Sequence, residues 1–382
     1  MIKSLIRFFS SLKLTVVCLS LLFILVLLTT LAQRYYGIYY SVSYFMTSWL
    51  ITITIPGFLN DNTFPLFPGG LLVSSILLIN LMTSHVSRFK YSLKKAGIWL
   101  THISLILLIG GAAITHFTAV ESQLILKEGE EKFFSEHSRF VELSILKKGV
   151  SAKDVVWRLN EAALKRTSTF TLENEGLTFK ITKFIQNAEL SSFTSIVNKT
   201  ATIGVGPFIN VNELKEETRD NFRNTVVVYL EIFDRSSQSL GICLLSNGLN
   251  ATQRITINKV DYFFSIRPQR FYTPFSFYLE DFRFDKYLGT DVPKNFQSQL
   301  ILNNELTKEK RQILISMNKP LRYQGRTYYQ ASFGENETVT VLQVVKNIAW
   351  TLPYISCLLL AIGLSLHFII SLILFIKRKS DA

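Results

Sequence analysis

Five histidines are the side chains best equipped for chemistry in this chain of 382 residues: His85, His102, His116, His137 and His367. A neutral imidazole offers a ring-nitrogen lone pair to a transition metal or to haem iron. Four of the five stand within or beside long apolar runs, where an ionisable group is costly and usually functional. His102 lies inside GIWLTHISLILLIGG, about 8 Å past the start of its predicted helix at 1.5 Å per residue. Two readings of it are open: a metal or cofactor ligand, or a neutral imidazole hydrogen-bonded to a neighbouring helix. His367 precedes the terminal Lys377-Arg378-Lys379 cluster by ten residues and shares that ambiguity. His85 ends an apolar run, and His116 follows His102 by fourteen residues, almost four turns or about 21 Å along a helix. At such interfacial positions a histidine costs little. His137 falls in polar sequence and reads as structural.

Other chemistries lack their residues. Cys18, Cys243 and Cys357 form no CxxC or CxxCH pattern, which argues against thiol–disulfide exchange, covalent haem carriage by this chain and an intrachain disulfide. No P-loop, GxSxG, HExxH or glycine-rich dinucleotide turn occurs. The acidic pair Glu280-Asp281 reads as a solvated strand face or a local partner for Arg283. Sequons at Asn198, Asn250 and Asn336 read as chance.

The histidines need elements to hold them, and hydropathy supplies four. The mean hydropathy is +0.26 with 48% hydrophobic residues, crowded into the first ~120 and last ~30 positions. Predicted transmembrane helices cover about 14–31, 69–84, 97–117 and 348–376. The first could be a signal peptide, but its apolar run is long and only AQRYYG follows, so it reads as retained. The net charge of +13 comes mostly from Lys3, Arg7, Lys13, Arg88, Lys90, Lys94, Lys95, Lys377, Arg378 and Lys379. These flank the spans, which favours membrane orientation over nucleic-acid binding. The positive-inside rule puts both termini and 88–95 in the cytoplasm and 118–346 outside. An aromatic-rich amphipathic stretch, Tyr44 to Ile55, reads as interfacial.

The expected organisation is a membrane region with three helices (1–117), an inserted extracytoplasmic domain (118–346), and a fourth helix with a short basic tail (347–382). Period-2 segments mark the inserted domain as mainly antiparallel and β-sandwich-like: RFVELSIL (139–146), TFKITKF (178–184), TVVVYLEIF (225–233), RITINKVDYFFSI (254–266), RTYYQASF (326–333) and TVTVLQVV (338–345). The last two are joined by GENE (334–337), of hairpin length. A short helix is predicted around Ala152 to Arg166, and partial burial for 315–333.

Nearly the whole chain resembles the ResB (CcsB) family of system II cytochrome c biogenesis. The resemblance is carried by FFSSLKLTVVCL (8–19), PLFPGGLLVSSILLINLMTSHVSRFK (65–90), KKAGIWLTHISLILLIGGAAIT (94–115), AVESQLILKEGE (119–130), PFSFYLEDFRFDKYLGTDVPKNFQSQL (274–300), ISMNKPLRYQGRTYYQASF (315–333) and VLQVVKNIAWTLPYISCLLLAIGLSLHF (341–368). One departure is Asn347-Ile348-Ala349, where many members carry Asp-Pro-Gly before the last helix.

The resemblance implies a bacterial cytoplasmic-membrane protein with its large domain on the periplasmic side. It implies a subunit, not itself a complete enzyme, working with a CcsA/ResC-type membrane protein that carries a WWD segment. Together they would bring haem b across the membrane to the CxxCH cysteines of apocytochrome c. His102 matches the position of an intramembrane haem-ligating histidine in fused members, with His367 and His85 as further candidates. The competing reading is a non-haem scaffold that docks apocytochrome or the partner subunit. A third is a self-sufficient b-type cytochrome ligated by His102 and His367.

Overall fold

The computed structural model describes residues 2–54, 63–88, 92–148, 154–220, 222–249, 252–289, 293–334 and 338–380. Pro56, Lys90, Ala152, Asn250, Asn336 and residues 335–337 of the predicted GENE turn lie outside them. The chain divides into a helical unit (1–120, 218–221 and 347–382) and a strand-rich unit (121–217 and 222–346).

The α-helices among the described residues are α1 (Ile2–Phe9), α2 (Leu12–Ser41), α3 (Gly70–Arg88), α4 (Ala96–Thr118), α5 (Glu161–Arg166) and α6 (Leu352–Ser380). All but α5 belong to the helical unit. Four segments are long and apolar enough to cross a membrane: Leu12–Met46, Gly70–Ser87, Ala96–Thr118 and Leu352–Lys379. Few residues of the last are buried, so α6 presents apolar side chains nearly all round.

Helix α2 runs ten residues beyond the predicted limit at Leu31, because hydropathy falls there while helix-compatible residues continue. It breaks at Gly37 (φ 76°, ψ 168°), a conformation that favours glycine. Asp220 closes the break. Its carboxylate accepts the backbone N–H groups of Ile38 and Tyr39, capping the helix that restarts there. Helix α6 begins at Leu352, not at 348, with Pro353 in its first turn, where the missing N–H is harmless. Asn347 at the departure from the family pattern accepts from the Ala349 N–H at 2.8 Å and lies within hydrogen-bond reach of Thr115 Oγ1 on α4. Buried Asn80 pins α3 to the α1–α2 joint, donating to the carbonyls of Phe9 and Ser11 and accepting from Thr15. The aromatic stretch after α2 contains a π-turn (Val42–Met46) and then strand β1 (Leu50–Thr54), paired with β2 (Thr63–Pro68).

In the strand-rich unit, a large sheet orders β15 (Glu309–Ser316), β14 (Pro293–Asn304), β13 (Val260–Lys286), β4 (Glu131–Lys147), β3 (Val120–Lys127), β18 (Val339–Lys346), β17 (Arg326–Phe333) and β16 (Leu321–Tyr323). Off this path, β12 (Gln253–Ile257) pairs with β13 and β5 (Val155–Asn160) with β4. A four-stranded sheet orders β11 (Ser239–Ser246), β10 (Val227–Phe233), β7 (Leu177–Ile185) and β6 (Thr169–Leu172). Strands β8 (Ala188–Ser192) and β9 (Ile209–Glu213) form a separate pair. Every described register is antiparallel except an isolated bridge between Ile203 and Cys243.

Two cores share the long strand β13. In the first, Val141, Leu143, Ile145, Phe264 and Ile266 face Phe179, Val228, Leu230 and Ile232 of the smaller sheet, a sandwich. In the second, Leu126, Phe277, Leu279, Leu300, Tyr328 and Leu342 all belong to the large sheet, which curls on itself.

Three strand readings change. Residues 227–230 are all buried; β10 is central and packs on both faces, so its apolar residues run on without alternation. The segment 254–266 is two strands folded at Asn258-Lys259, whose φ values of 50° and 65° suit the tight turn of a two-residue hairpin. Of the helix predicted over Ala152 to Arg166, only α5 is helical. The preceding β5 points Trp157 and Leu159 at the first core, and Asn160 caps α5 by accepting the Ala163 N–H at 2.9 Å. Segment 315–333 is partly buried as expected: Ile315 and Tyr328 are enclosed, whereas Met317 is exposed.

Candidate functional site

Helix α4 has two working faces. Gly97, Ser104 and Gly111 recur every seven residues and are its buried positions. A Cβ on Gly97 would lie 2.4 Å from the His367 backbone nitrogen and 2.7 Å from the Gly363 carbonyl oxygen. One on Gly363 would lie 2.8 Å from the Thr101 nitrogen, and one on Gly111 3.0 Å from Leu352 Cβ. The start of α4 therefore meets the later part of α6, and its end meets the start of α6. The helices run antiparallel at a separation that only small residues permit. The closest approach falls at Gly97 and Gly363. A Cβ on Gly110 would have nothing within 4 Å.

At 100° per residue, Trp99 and His102 lie about 160° and 140° round the helix from Gly97. They share one face at i, i+3 spacing. There they meet His85 from the last turn of α3. The ring centres of His85 and Trp99 are 5.6 Å apart, and those of His85 and His102 are 6.2 Å apart at 64° between planes. All three residues are half-buried.

A ring nitrogen lies about 1 Å from its ring centre and binds a metal at about 2 Å. Two imidazoles either side of one ion would thus have centres about 6 Å apart, which the observed 6.2 Å matches. Among the described residues no group of three or more His, Cys, Asp or Glu side chains could hold a metal ion. Two nitrogen donors without a third protein ligand suit an iron whose other positions a porphyrin already fills. They do not suit a closed structural zinc site.

The remaining histidines stand elsewhere. His367 enters the α4–α6 seam through its backbone, on the other side of α4 from His102, and its ring lies 5.8 Å from that of Phe368. His116 packs edge-on against Phe117 at 4.9 Å. His137 is structural, as read. Its Nδ1 accepts the N–H groups of Arg139 and Phe140 at 3.0 and 3.2 Å where β4 bulges. Burial first, with Arg139 and Arg223 nearby and despite Glu161, pushes its pKa down to about 4, so it is neutral at pH 7. The adjacency of His85 to His102 was not legible beforehand. The sequence signal for it was the short α3–α4 connection, which folds two histidines, each near a helix end, onto one level.

Asn198 is likewise engaged by the fold, donating to the Ile209 carbonyl and the Tyr229 hydroxyl. Cys18 and Cys243 are buried and Cys357 exposed, all as free thiols.

Comparison with known proteins finds two similarities. Residues 250–347, the second half of the strand-rich unit up to the approach to α6, match the model of the ResB-like family. The chain is also 24% identical over 267 residues to Protein NrfI of Wolinella succinogenes, across 70% of this chain and 26% of that protein. The chain thus carries, over residues 250–347, a segment similar to the ResB-like family. It spans about a quarter of the length of the curated relative it matches. The family match covers β12 to β18, and the similarity to NrfI, at 267 residues, is much longer than that 98-residue match.

Proposed function

We propose that this ResB-like chain serves cytochrome c biogenesis as a membrane subunit of a system II haem-attachment complex. In this reading α2, α3, α4 and α6 span the bilayer, the strand-rich unit faces the periplasm, and both termini are cytoplasmic. Four long helices whose apolar side chains stand mostly unburied and the basic clusters at their ends support it. Haem b is the cargo, passed with a WWD-containing CcsA/ResC-type partner to the CxxCH cysteines of apocytochrome c.

The observation that carries the reading is the pairing of His85 and His102 beside Trp99. His102 would hold the iron through one ring nitrogen. His85, whose ring centre is 6.2 Å from that of His102, would supply a second imidazole or orient the first. Trp99 offers a flat apolar wall to a planar cargo. Haem would supply the iron, and His102, His85 and Trp99 would supply imidazole nitrogen and an apolar surround. His367, on the opposite side of α4, is the weaker candidate, which also lowers the case for a cytochrome ligated by His102 and His367.

The test is the optical spectrum of the complex purified with its partner. His102→Ala should remove most of the haem Soret absorbance per complex at unchanged protein level, with partial return on adding imidazole. His85→Ala should shift the band or weaken it, and His367→Ala should leave it in place. Unchanged haem per complex in His102→Ala, with less protein, would favour the scaffold reading.

A further inference from the structure

Between Arg34 and Arg88 the sequence contains a single charged residue, Asp61. This stretch includes the β1–β2 ribbon that joins α2 to α3. The inner side of the ribbon is anchored: Ile51, paired with Phe67, packs on Cys18 and Leu25 of α2 and on Val73 and Leu77 of α3. Its attachment to α3 is tight. A Cβ on Gly69 would fall 2.1 Å from the Ser48 carbonyl oxygen, and one on Gly70 2.5 Å from that of Met46. The ribbon and the residue before it also expose apolar side chains: Trp49, Leu50, Ile53 and Leu66 are 56%, 50%, 44% and 66% exposed.

We infer that this ribbon is an interfacial wedge whose outer face lies among lipid headgroups and the first acyl carbons. The inference rests on the reading that α2 and α3 span a bilayer. Lipid is the occupant favoured by continuity, since the ribbon extends the exposed apolar surface of α2, where Leu31, Tyr35 and Tyr36 are also exposed. Its depth follows from its backbone. A two-stranded ribbon leaves outward N–H and C=O groups unpaired on both edges, which the hydrocarbon layer does not tolerate and the hydrated interface does. The ribbon reduces that exposure. Pro65 and Pro68 have no N–H to leave unpaired, and the Thr52 carbonyl accepts the Tyr44 hydroxyl. Tryptophan and tyrosine are the side chains that settle at this depth.

The full chain, reconstituted in phosphatidylcholine–phosphatidylglycerol vesicles, tests the inference through tryptophan quenching by brominated lipids. One variant keeps Trp49 alone, with Trp99, Trp157 and Trp350 replaced by phenylalanine. A tryptophan-free version carrying Phe23→Trp reports on the middle of α2, and one carrying Leu66→Trp reports on the opposite strand of the ribbon. Trp49 and the Leu66→Trp reporter should be quenched at least about two-fold more by bromines near the carbonyl end of the chain than near its methyl end. The Phe23→Trp reporter should show the reverse order. A quenched Phe23→Trp reporter with both ribbon reporters silent would mean that protein covers the ribbon, and would overturn the wedge alone. Ribbon reporters quenched best from the methyl end would overturn it too. Silence of all three would bring down the membrane reading as well.

Discussion

Replacing Gly97 by alanine sets a methyl group where α6 already is. The new carbon would lie 2.4 Å from the His367 nitrogen and 2.7 Å from both the His367 Cα and the Gly363 oxygen. Non-bonded atoms of this kind rest at about 3.5 Å, so the shortfall is about 1 Å. All three neighbours are backbone, which cannot rotate away, so the helices must separate along the contact. The separation also loosens the Thr101 and Ser104 contacts and the seat of Gly111 on Leu352. Overpacking of this kind costs about 1–3 kcal/mol, and the absence of any side chain able to yield puts Gly97→Ala at the upper end. That is roughly a 30- to 150-fold loss in the folded-to-unfolded ratio. Gly363→Ala meets Thr101 at 2.8 Å and should cost less, and Gly111→Ala, which meets only a leucine side chain at 3.0 Å, less again. Gly110→Ala, with open space around it, should be neutral or stabilise through helix propensity by up to about 1 kcal/mol. The Gly97→Ala/Gly363→Ala double variant should cost less than the sum of its parts, because one separation relieves both contacts. Unfolding of the purified full chain in mixed detergent–SDS micelles measures the series. Gly97→Ala indistinguishable from Gly110→Ala would refute the close approach of α4 and α6.

Four further outcomes follow from the geometry. His137 has a folded-state pKa of about 4 against an ordinary 6.5, so between those values the folded chain binds fewer protons than the unfolded one. Its contribution is complete above about pH 6.5 and is lost as pH falls towards 4, an effect of about 3 kcal/mol; His137→Asn keeps an acceptor for the Arg139 and Phe140 N–H groups and should flatten that part of a stability–pH curve. Arg267 pairs with buried Glu142 at 3.0 Å, with Arg158 more distant at 3.9 Å, so Arg267→Ala should cost about 3 kcal/mol by thermal denaturation and Glu142→Gln in the same background should recover part of it. Lys259 holds a left-handed φ of 65° in a two-residue hairpin; Lys259→Gly should raise stability by about 0.5–1 kcal/mol, and a loss would contradict the turn. Asp220→Ala removes the cap on Ile38 and Tyr39, a cost of about 1 kcal/mol visible as faster hydrogen exchange at those two amides and nowhere else in α2.

Most of the elements were legible because they are written locally. A membrane-length helix needs only an unbroken apolar run, and α3 and α4 fall within a few residues of their expected limits. A strand with one wet face needs only alternation, as in β7 and β18. Legibility failed where a residue's surroundings come from distant chain. β10 hides its alternation because β8 and β9 cover its second face. A turn at Asn258-Lys259 carries no glycine to announce it, and β5 reads as helix until β4 supplies its partner.

The histidines divide in the same way. That His102 sits in an apolar helix is a property of fifteen consecutive residues, and that His85 ends the preceding helix is a property of a few more. Which imidazoles meet is not. Apolar residues occur nearly all round α4, so hydropathy cannot say which flank faces α3 and which α6. The absence of a Cβ at Gly97 and Gly363 decides it, by letting two backbones touch along one line. That contact sets the rotation of α4, turns Trp99 and His102 towards His85, and leaves His367 on the far side. Residue identity chose the chemistry on offer, whereas helix phase, which only close packing can lock, chose the pair.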